Sequence, residues 1–233
     1  MTFRRMIRGA VAAAVALTGV SFSVAAPAAL AEPCPDAEVI FARGTGEAPG
    51  VGGIGQAFVD SVRAQAGGRS VAVYPVNYPA SGNFADRADI ARSVAGGVRD
   101  ENSRISQMAA TCPDTRLILG GYSQGALVTG FATSTAAPAA VPAELIPPPL
   151  PTDAAEHVAA VVLFGKPSAQ FLAMFDAPRV EVGPEFAAKT LDLCAPGDTI
   201  CEGAFGGGPT VAHALYPFNG QVSQGAAYAI ERL

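Results

Sequence analysis

The chain has 233 residues, half of them hydrophobic and 15% charged, with a formal net charge of −5. That length holds one full domain and little more, and the composition provides for a sizeable core rather than disorder. An acidic chain with no basic run is a poor partner for nucleic acid, so that class of function is excluded at the outset.

The N-terminus reads as a targeting segment. Residues 1–31 carry Arg4, Arg5 and Arg8, then an apolar stretch from Gly9 to Val24, then Ala29-Leu30-Ala31. A basic region, a hydrophobic region and a small-x-small site in that order define a secretory signal peptide, with cleavage expected after Ala31. A membrane anchor is the competing reading, but the apolar stretch falls short of the roughly 20 residues that a spanning helix needs. The paired Arg4-Arg5 resembles a twin-arginine signal only poorly in its surroundings. Cleavage leaves a domain of residues 32–233 with 12 basic and 20 acidic side chains. No later segment resembles a spanning helix, so a secreted, soluble and monomeric protein is expected.

From residue 32 onward, β-rich apolar runs alternate with amphipathic stretches. Ala37–Ala42 reads as a strand between Pro35 and Gly44, and Gly52–Gln65 as a helix with Ile54, Phe58 and Val62 on one face. Ser70–Val76 is a second strand. Residues 85–110 read as a helix, loosened at Gly96-Gly97, where adjacent glycines weaken helical order. Arg116–Gly120 is a short, continuously apolar strand of the buried parallel kind, and Gln124–Ala132 a helix. Val158–Phe164 and Lys189–Leu193 give the fourth and fifth strands, and residues 221–232 a closing helix. This alternation predicts a three-layer α/β/α sandwich around a parallel sheet of about five strands, with functional loops along one edge. Thr133–Asp153 breaks the rhythm. Its Pro147-Pro148-Pro149 and Pro151 predict an extended surface excursion, either a plain spacer or a flap over the site.

Four cysteines remain after cleavage: Cys34, Cys112, Cys194 and Cys201. In an exported chain an even number suggests two disulfides, with three connectivities open. The favoured arrangement is a local Cys194–Cys201 staple and a long-range Cys34–Cys112 bond, worth about 2.5 and about 4.5 kcal/mol by loop-closure entropy. A zinc site would call for a C-x-x-C knuckle that this spacing lacks.

The strongest chemical signal is Gly121-Tyr122-Ser123-Gln124-Gly125, a G-x-S-x-G between an apolar strand and a helix. A serine at such a turn is held in a strained conformation that pushes its hydroxyl outward, and flanking glycines remove side chains that would collide with strand and helix. Ser123 is therefore the expected nucleophile. A hydroxyl needs a base, and the chain has only two histidines. His213 follows every predicted strand, as the serine–acid–histidine order requires, whereas His157 precedes the fourth strand. The acid is expected on the loop after the fifth strand, where Asp198 lies between Cys194 and Cys201. Asp192, within the strand, and Glu202, just outside the staple, are the competitors. Oxyanion donors are expected from the backbone N–H of Gln124 and from the Gly-rich turn after the first strand, through the N–H and hydroxyl of Thr45.

These motifs together resemble the cutinase family, in particular its actinobacterial cutinase-like members. The resemblance rests on Ala42-Arg43-Gly44-Thr45-Gly46-Glu47, Gly120 through Gly125, Cys194 through Cys201 and His213, and it covers nearly the whole mature chain. It implies an α/β-hydrolase fold with five parallel strands, an accessible serine without a large lid, and the same two disulfides. It implies Ser123, Asp198 and His213 as a triad, with Thr45 and Gln124 as the oxyanion hole. Thr45 stands where fungal members commonly carry serine, and the Pro-rich excursion is longer than in them.

The expected activity is hydrolysis of carboxylic esters of short to medium acyl chain, including polyester or lipid esters, with no metal or cofactor required. Two other functions share these residues: acyl transfer to a sugar or lipid acceptor, and ligand binding on a hydrolase scaffold without catalysis. Ala204, Phe205 and Val211, near His213 in sequence, are candidate groove-lining residues.

Overall fold

A computed structural model of the protein describes residues 33–134, 143–148, 150–151, 153–204 and 208–233. Residues 1–31, where a signal peptide is expected, part of the Pro-rich excursion and Phe205 lie outside the described residues. Five strands, β1 (Ala37–Ala42), β2 (Val71–Pro75), β3 (Arg116–Tyr122), β4 (Val158–Phe164) and β5 (Thr190–Leu193), form one sheet in the order β2-β1-β3-β4-β5. Every neighbouring pair is parallel. Five helices are the larger or flanking elements: α1 (Gly52–Gln65), α2 (Arg87–Thr111), α3 (Gln124–Ala132), α4 (Ala154–His157) and α5 (Ala169–Ala173). Three more, α6 (Pro184–Ala187), α7 (Thr199–Glu202) and α8 (Gln221–Ile230), complete the chain.

Both faces of the sheet are apolar because both are covered. On one face Val39, Phe41, Ile118, Val162 and Phe164 meet α1 and α8 through Phe58, Val62, Val222 and Ala226. On the other, Ile40, Leu117, Leu119, Val161 and Leu163 meet α2 and α3 through Val98, Ile105 and Val128. The alternation of neighbours such as Val39, Ile40 and Phe41 is the period-two pattern of a strand. Each fully buried large side chain contributes about 1.5–3 kcal/mol.

α2 is one unbroken helix across Gly96-Gly97, against the expected loosening. A Cβ at Gly97 would lie 2.8 Å from the Val128 side chain, so this glycine admits the close approach of α2 to α3, and packing outweighs propensity. The Pro-rich excursion also differs from a wholly extended segment. Thr133 is the buried C-cap of α3, and Ala143–Leu145 forms a 3-10 turn. The Asn102 amide donates to the Pro148 carbonyl at 3.0 Å, which fastens the excursion to α2. One charge lies inside the sheet: Glu38 on β1 takes a bidentate bond from Arg104 of α2, whose guanidinium covers the Tyr74 ring.

The cysteines form Cys34–Cys112 and Cys194–Cys201, which leaves none of them for a metal. The first bond precedes β1 and β3 and so joins two adjacent strands at the edge where both begin. β2 lies on one side of β1 and β3 on the other, so strand order reverses between β1 and β3, the position where parallel sheets open a crevice at their carboxyl edge.

Candidate active site

Ser123 lies at that crevice, between β3 and α3, with φ 54° and ψ −115°. Its N–H donates to the Phe164 carbonyl of β4 at 2.9 Å. The flanking glycines are obligatory for the turn. A Cβ at Gly121 would stand 2.3 Å from the Gly125 carbonyl oxygen, and one at Gly125 would stand 2.0 Å from that of Ala42. Strain of this kind persists only where the surroundings over-determine it, as strand, helix and neighbouring strand do here.

His213 sits in a 3-10 turn (Val211–Ala214) that brings its ring over the elbow. Its Nε2 lies 2.9 Å from Ser123 Oγ, and its Nδ1 lies 2.9 and 2.8 Å from the two oxygens of Asp198. A carboxylate only accepts, so Nδ1 carries the proton and the Nε2 lone pair faces the serine hydroxyl. Asp198 is fully buried between the bonded Cys194 and Cys201. Burial alone would raise its carboxyl. Hydrogen bonds from His213, from the Tyr216 hydroxyl at 2.6 Å and from the Ile200 N–H at 3.0 Å outweigh that and hold it below the ordinary carboxylate range.

The competing residues are engaged elsewhere. Asp192 of β5 pairs with Lys166 at 3.0 Å, and Glu202 of α7 accepts from the Gly197 N–H at 2.9 Å. His157 ends α4 at the opposite edge of the sheet, with Nδ1 2.9 Å from the Pro113 carbonyl. Gln124 opens α3, where the first N–H groups have no partner within the helix. Its buried amide donates to the Ser81 carbonyl at 2.9 Å and accepts from Ser93 at 3.3 Å. Thr45 is half-buried on the turn after β1, and its methyl lies beside Gly82. Ala204 and Val211 are exposed near His213.

Around Ser123, His213 and Asp198 stand three residues whose contacts no motif in the sequence specifies. The Tyr216 hydroxyl accepts the Ala195 N–H at 3.1 Å, which aims its own proton at Asp198. Tyr122 donates to the His213 carbonyl at 2.8 Å, with its ring centre 5.0 Å from the imidazole. Burial pushes both phenols upward, so both stay neutral donors. Gly165, at φ +56°, leaves space that a Cβ would close to 3.0 Å from Asp198, His213 and Tyr216. Only the x of G-x-S-x-G and the glycine after the fourth strand hinted at any of them.

A parallel sheet with a serine elbow at its switch point, followed in chain order by acid and histidine, defines the α/β-hydrolase class. The cutinase family model matches residues 33–233. Carboxylesterase Culp1 of Mycobacterium tuberculosis is 44% identical over 236 aligned residues, spanning 100% of this chain and 98% of that protein. Phospholipase Culp4 of the same organism is 42% identical over 98% of this chain and 92% of its own length. Among solved structures, Trichoderma reesei cutinase in complex with a phosphonate inhibitor superposes with a TM-score of 0.64 at 33% identity, covering 85% of this chain and 77% of that one. The chain belongs to the cutinase family.

Proposed function

We propose that the protein is a secreted serine ester hydrolase that works through an acyl-enzyme on Ser123. Ser123 attacks the ester carbonyl as His213 Nε2 takes its proton, and Asp198 stabilises the imidazolium that results. The oxyanion is held by the N–H groups of Thr45 and Gln124 at the positive end of α3. The protonated histidine then passes its proton to the departing alcohol, and a water activated at the same Nε2 releases the acid. The observation that carries this reading is the unbroken series Ser123 Oγ, His213, Asp198, with contacts of 2.9 and 2.8 Å.

An apolar acyl group or lipid ester suits the surroundings. Among the described residues the large apolar side chains left exposed are Phe84, Met174, Phe175, Val211, Leu215 and Phe218. All six lie in connections that leave the carboxyl ends of β2, β4 and β5, on the edge that carries Ser123. No helix among the described residues is long and apolar enough to cross a membrane. Residues 1–31 act as the export signal, and residues 32–233 as the monomeric enzyme.

The test is Ser123→Ala. The variant should retain its fold, lose hydrolysis of p-nitrophenyl esters by a factor of roughly 10⁴ or more, and fail to be labelled by a serine-directed phosphonate. An active Ser123→Ala variant, or a wild-type protein inert to both reagents, would sink the assignment.

A further inference from the structure

The turn between β1 and α1 contains two charged residues, Arg43 and Glu47, that the triad does not use. Gly44 donates its N–H to Glu47 Oε2 at 2.6 Å, Gly46 donates to the Ala80 carbonyl at 2.8 Å, and Glu47 donates to the Gly44 carbonyl at 3.3 Å. The Thr45 N–H, between them, has no acceptor among the described residues. One donor in the turn is therefore left over, and its neighbours on both sides are fixed.

Glu47 fixes them from one direction. Its other oxygen, Oε1, accepts the Gly53 N–H at the start of α1 at 2.7 Å, so one carboxylate ties the turn to the helix. Gly52, at φ +73°, makes room for it, since a Cβ there would stand 2.2 Å from Glu47 Oε2. Arg43 fixes them from the other. It is 5% exposed, and among the described residues no carboxylate reaches it as an ion pair. Its guanidinium donates instead to three carbonyls: Glu47 at 2.9 Å, Val76 at 3.5 Å and Tyr78 at 2.6 Å. The Tyr78 hydroxyl returns a bond to the Arg43 carbonyl at 2.5 Å, and its ring lies 5.1 Å below the guanidinium. Ala80, which receives the Gly46 N–H, is itself at φ +51° without being glycine.

A buried arginine without a carboxylate partner is costly, and for stability alone an apolar side chain serves as well or better. What this arginine provides is geometry. It locks the turn against the segment after β2, while the Ala42 and Arg43 carbonyls press on Gly125 of the nucleophile helix. The turn and the Gln124 N–H thus share one support. We propose that Arg43 and Glu47 are positioning residues that hold the Thr45 N–H in place as a preformed oxyanion donor. This inference rests on the acyl-transfer reading above. Preformed donors act because nothing must reorganise as charge develops on the substrate oxygen, and loss of one such donor costs about 10²–10³ in kcat.

The experiment compares Glu47→Gln, Arg43→Lys and Tyr78→Phe in the oxidised, processed protein. An amide at 47 has one acceptor for two N–H donors, and a lysine cannot reach three carbonyls from one plane. Both variants should lose roughly 10- to 100-fold in kcat on a p-nitrophenyl ester with KM within about twofold. Affinity for a trifluoromethyl ketone, whose adduct carries the oxyanion, should fall by the same factor. Tyr78→Phe removes one brace, should lose only a few-fold in both, and carries the test if the charged-site variants do not fold. A lowered melting temperature with unchanged kcat and ketone affinity would overturn the inference and leave a structural role. Those outcomes are separate from failure of the functional reading, in which the wild-type protein itself neither turns over the ester nor reacts with the phosphonate.

Discussion

The two sides of the candidate site are fastened in different ways. On the acid side, Asp198 is fully buried inside the loop closed by Cys194–Cys201 and accepts from His213, Tyr216 and Ile200. On the oxyanion side, Thr45 is half-buried and Gly46 exposed; hydrogen bonds join the turn to α1 and to the segment after β2, and close packing of the Ala42 and Arg43 carbonyls on Gly125 joins it to α3. The difference follows from what each side must do in the proposed reaction. The carboxylate never touches substrate, so it can be sealed and covalently held. The oxyanion donors must meet a carbonyl arriving from solvent, so their rigidity has to come from behind, from a lattice that leaves one N–H free.

Rising pH should weaken the fold through a buried group behind the oxyanion side. Glu101 on α2, the helix that also supports Gln124 through Ser93, is fully buried, with one oxygen on Thr129 of α3 and the other without a partner among the described residues. Burial pushes its carboxyl up to about 8 from an ordinary 4.5. A carboxyl raised on folding contributes stability that is fully present below its unfolded pKa and lost as pH rises through the folded value. Between pH 5 and 9 the urea midpoint should therefore fall, by an amount equivalent to roughly 4 kcal/mol. Glu101→Gln should flatten that slope, and an equally steep slope in the variant would assign the loss to other groups.

One disulfide closes the acid-side loop, and the other lies at the opposite edge of the sheet, where β1 and β3 begin. Replacing Cys34 and Cys112 by serine should cost about 4.5 kcal/mol in urea unfolding while kcat below the unfolding transition stays unchanged. Replacing Cys194 and Cys201 should cost only about 2.5 kcal/mol but lower kcat, because the loop that presents Asp198 is released. Equal effects on kcat from the two pairs would show that the acid side does not depend on its own disulfide.

The smallest effect is the sharpest probe. Tyr216→Phe deletes one of the donors that keep the Asp198 carboxyl low. Stability that depends on an ionised Asp198 is present above its unfolded pKa and lost as pH falls through its folded pKa, and a raised folded pKa moves that loss to higher pH. The acid limb of the urea-midpoint profile should shift upward by less than one unit, roughly the worth of a single hydrogen bond at about 1 kcal/mol. Tyr122→Phe, which removes a donor to the His213 carbonyl and touches no carboxylate, should leave that limb where it is.

Much of the fold was legible because its signals are local. Ala37–Ala42, Gly52–Gln65, Gln124–Ala132 and Val158–Phe164 follow from periodicity and punctuation, with boundaries that coincide with the observed elements. The short helices α4 to α7, each five residues or fewer, are too brief to show a helical period. At the candidate site, Ser123, Asp198 and His213, which the structure brings into contact, could be proposed from motif, loop position and chain order. The braces could not. Arg43 meets Tyr78 35 positions away, and Tyr216 meets Asp198 through a hydroxyl whose direction is set by a third residue. Nothing in a one-dimensional pattern distinguishes such tyrosines from core aromatics.

The exposed rim adds a point about evolvability. Phe84, Val211, Leu215 and Phe218 extend their side chains into solvent, and none of those side chains takes part in a hydrogen bond that orients Ser123, His213, Asp198 or Thr45. On the proposed function, drift at the rim can therefore retune which esters are admitted while the reacting groups stay put.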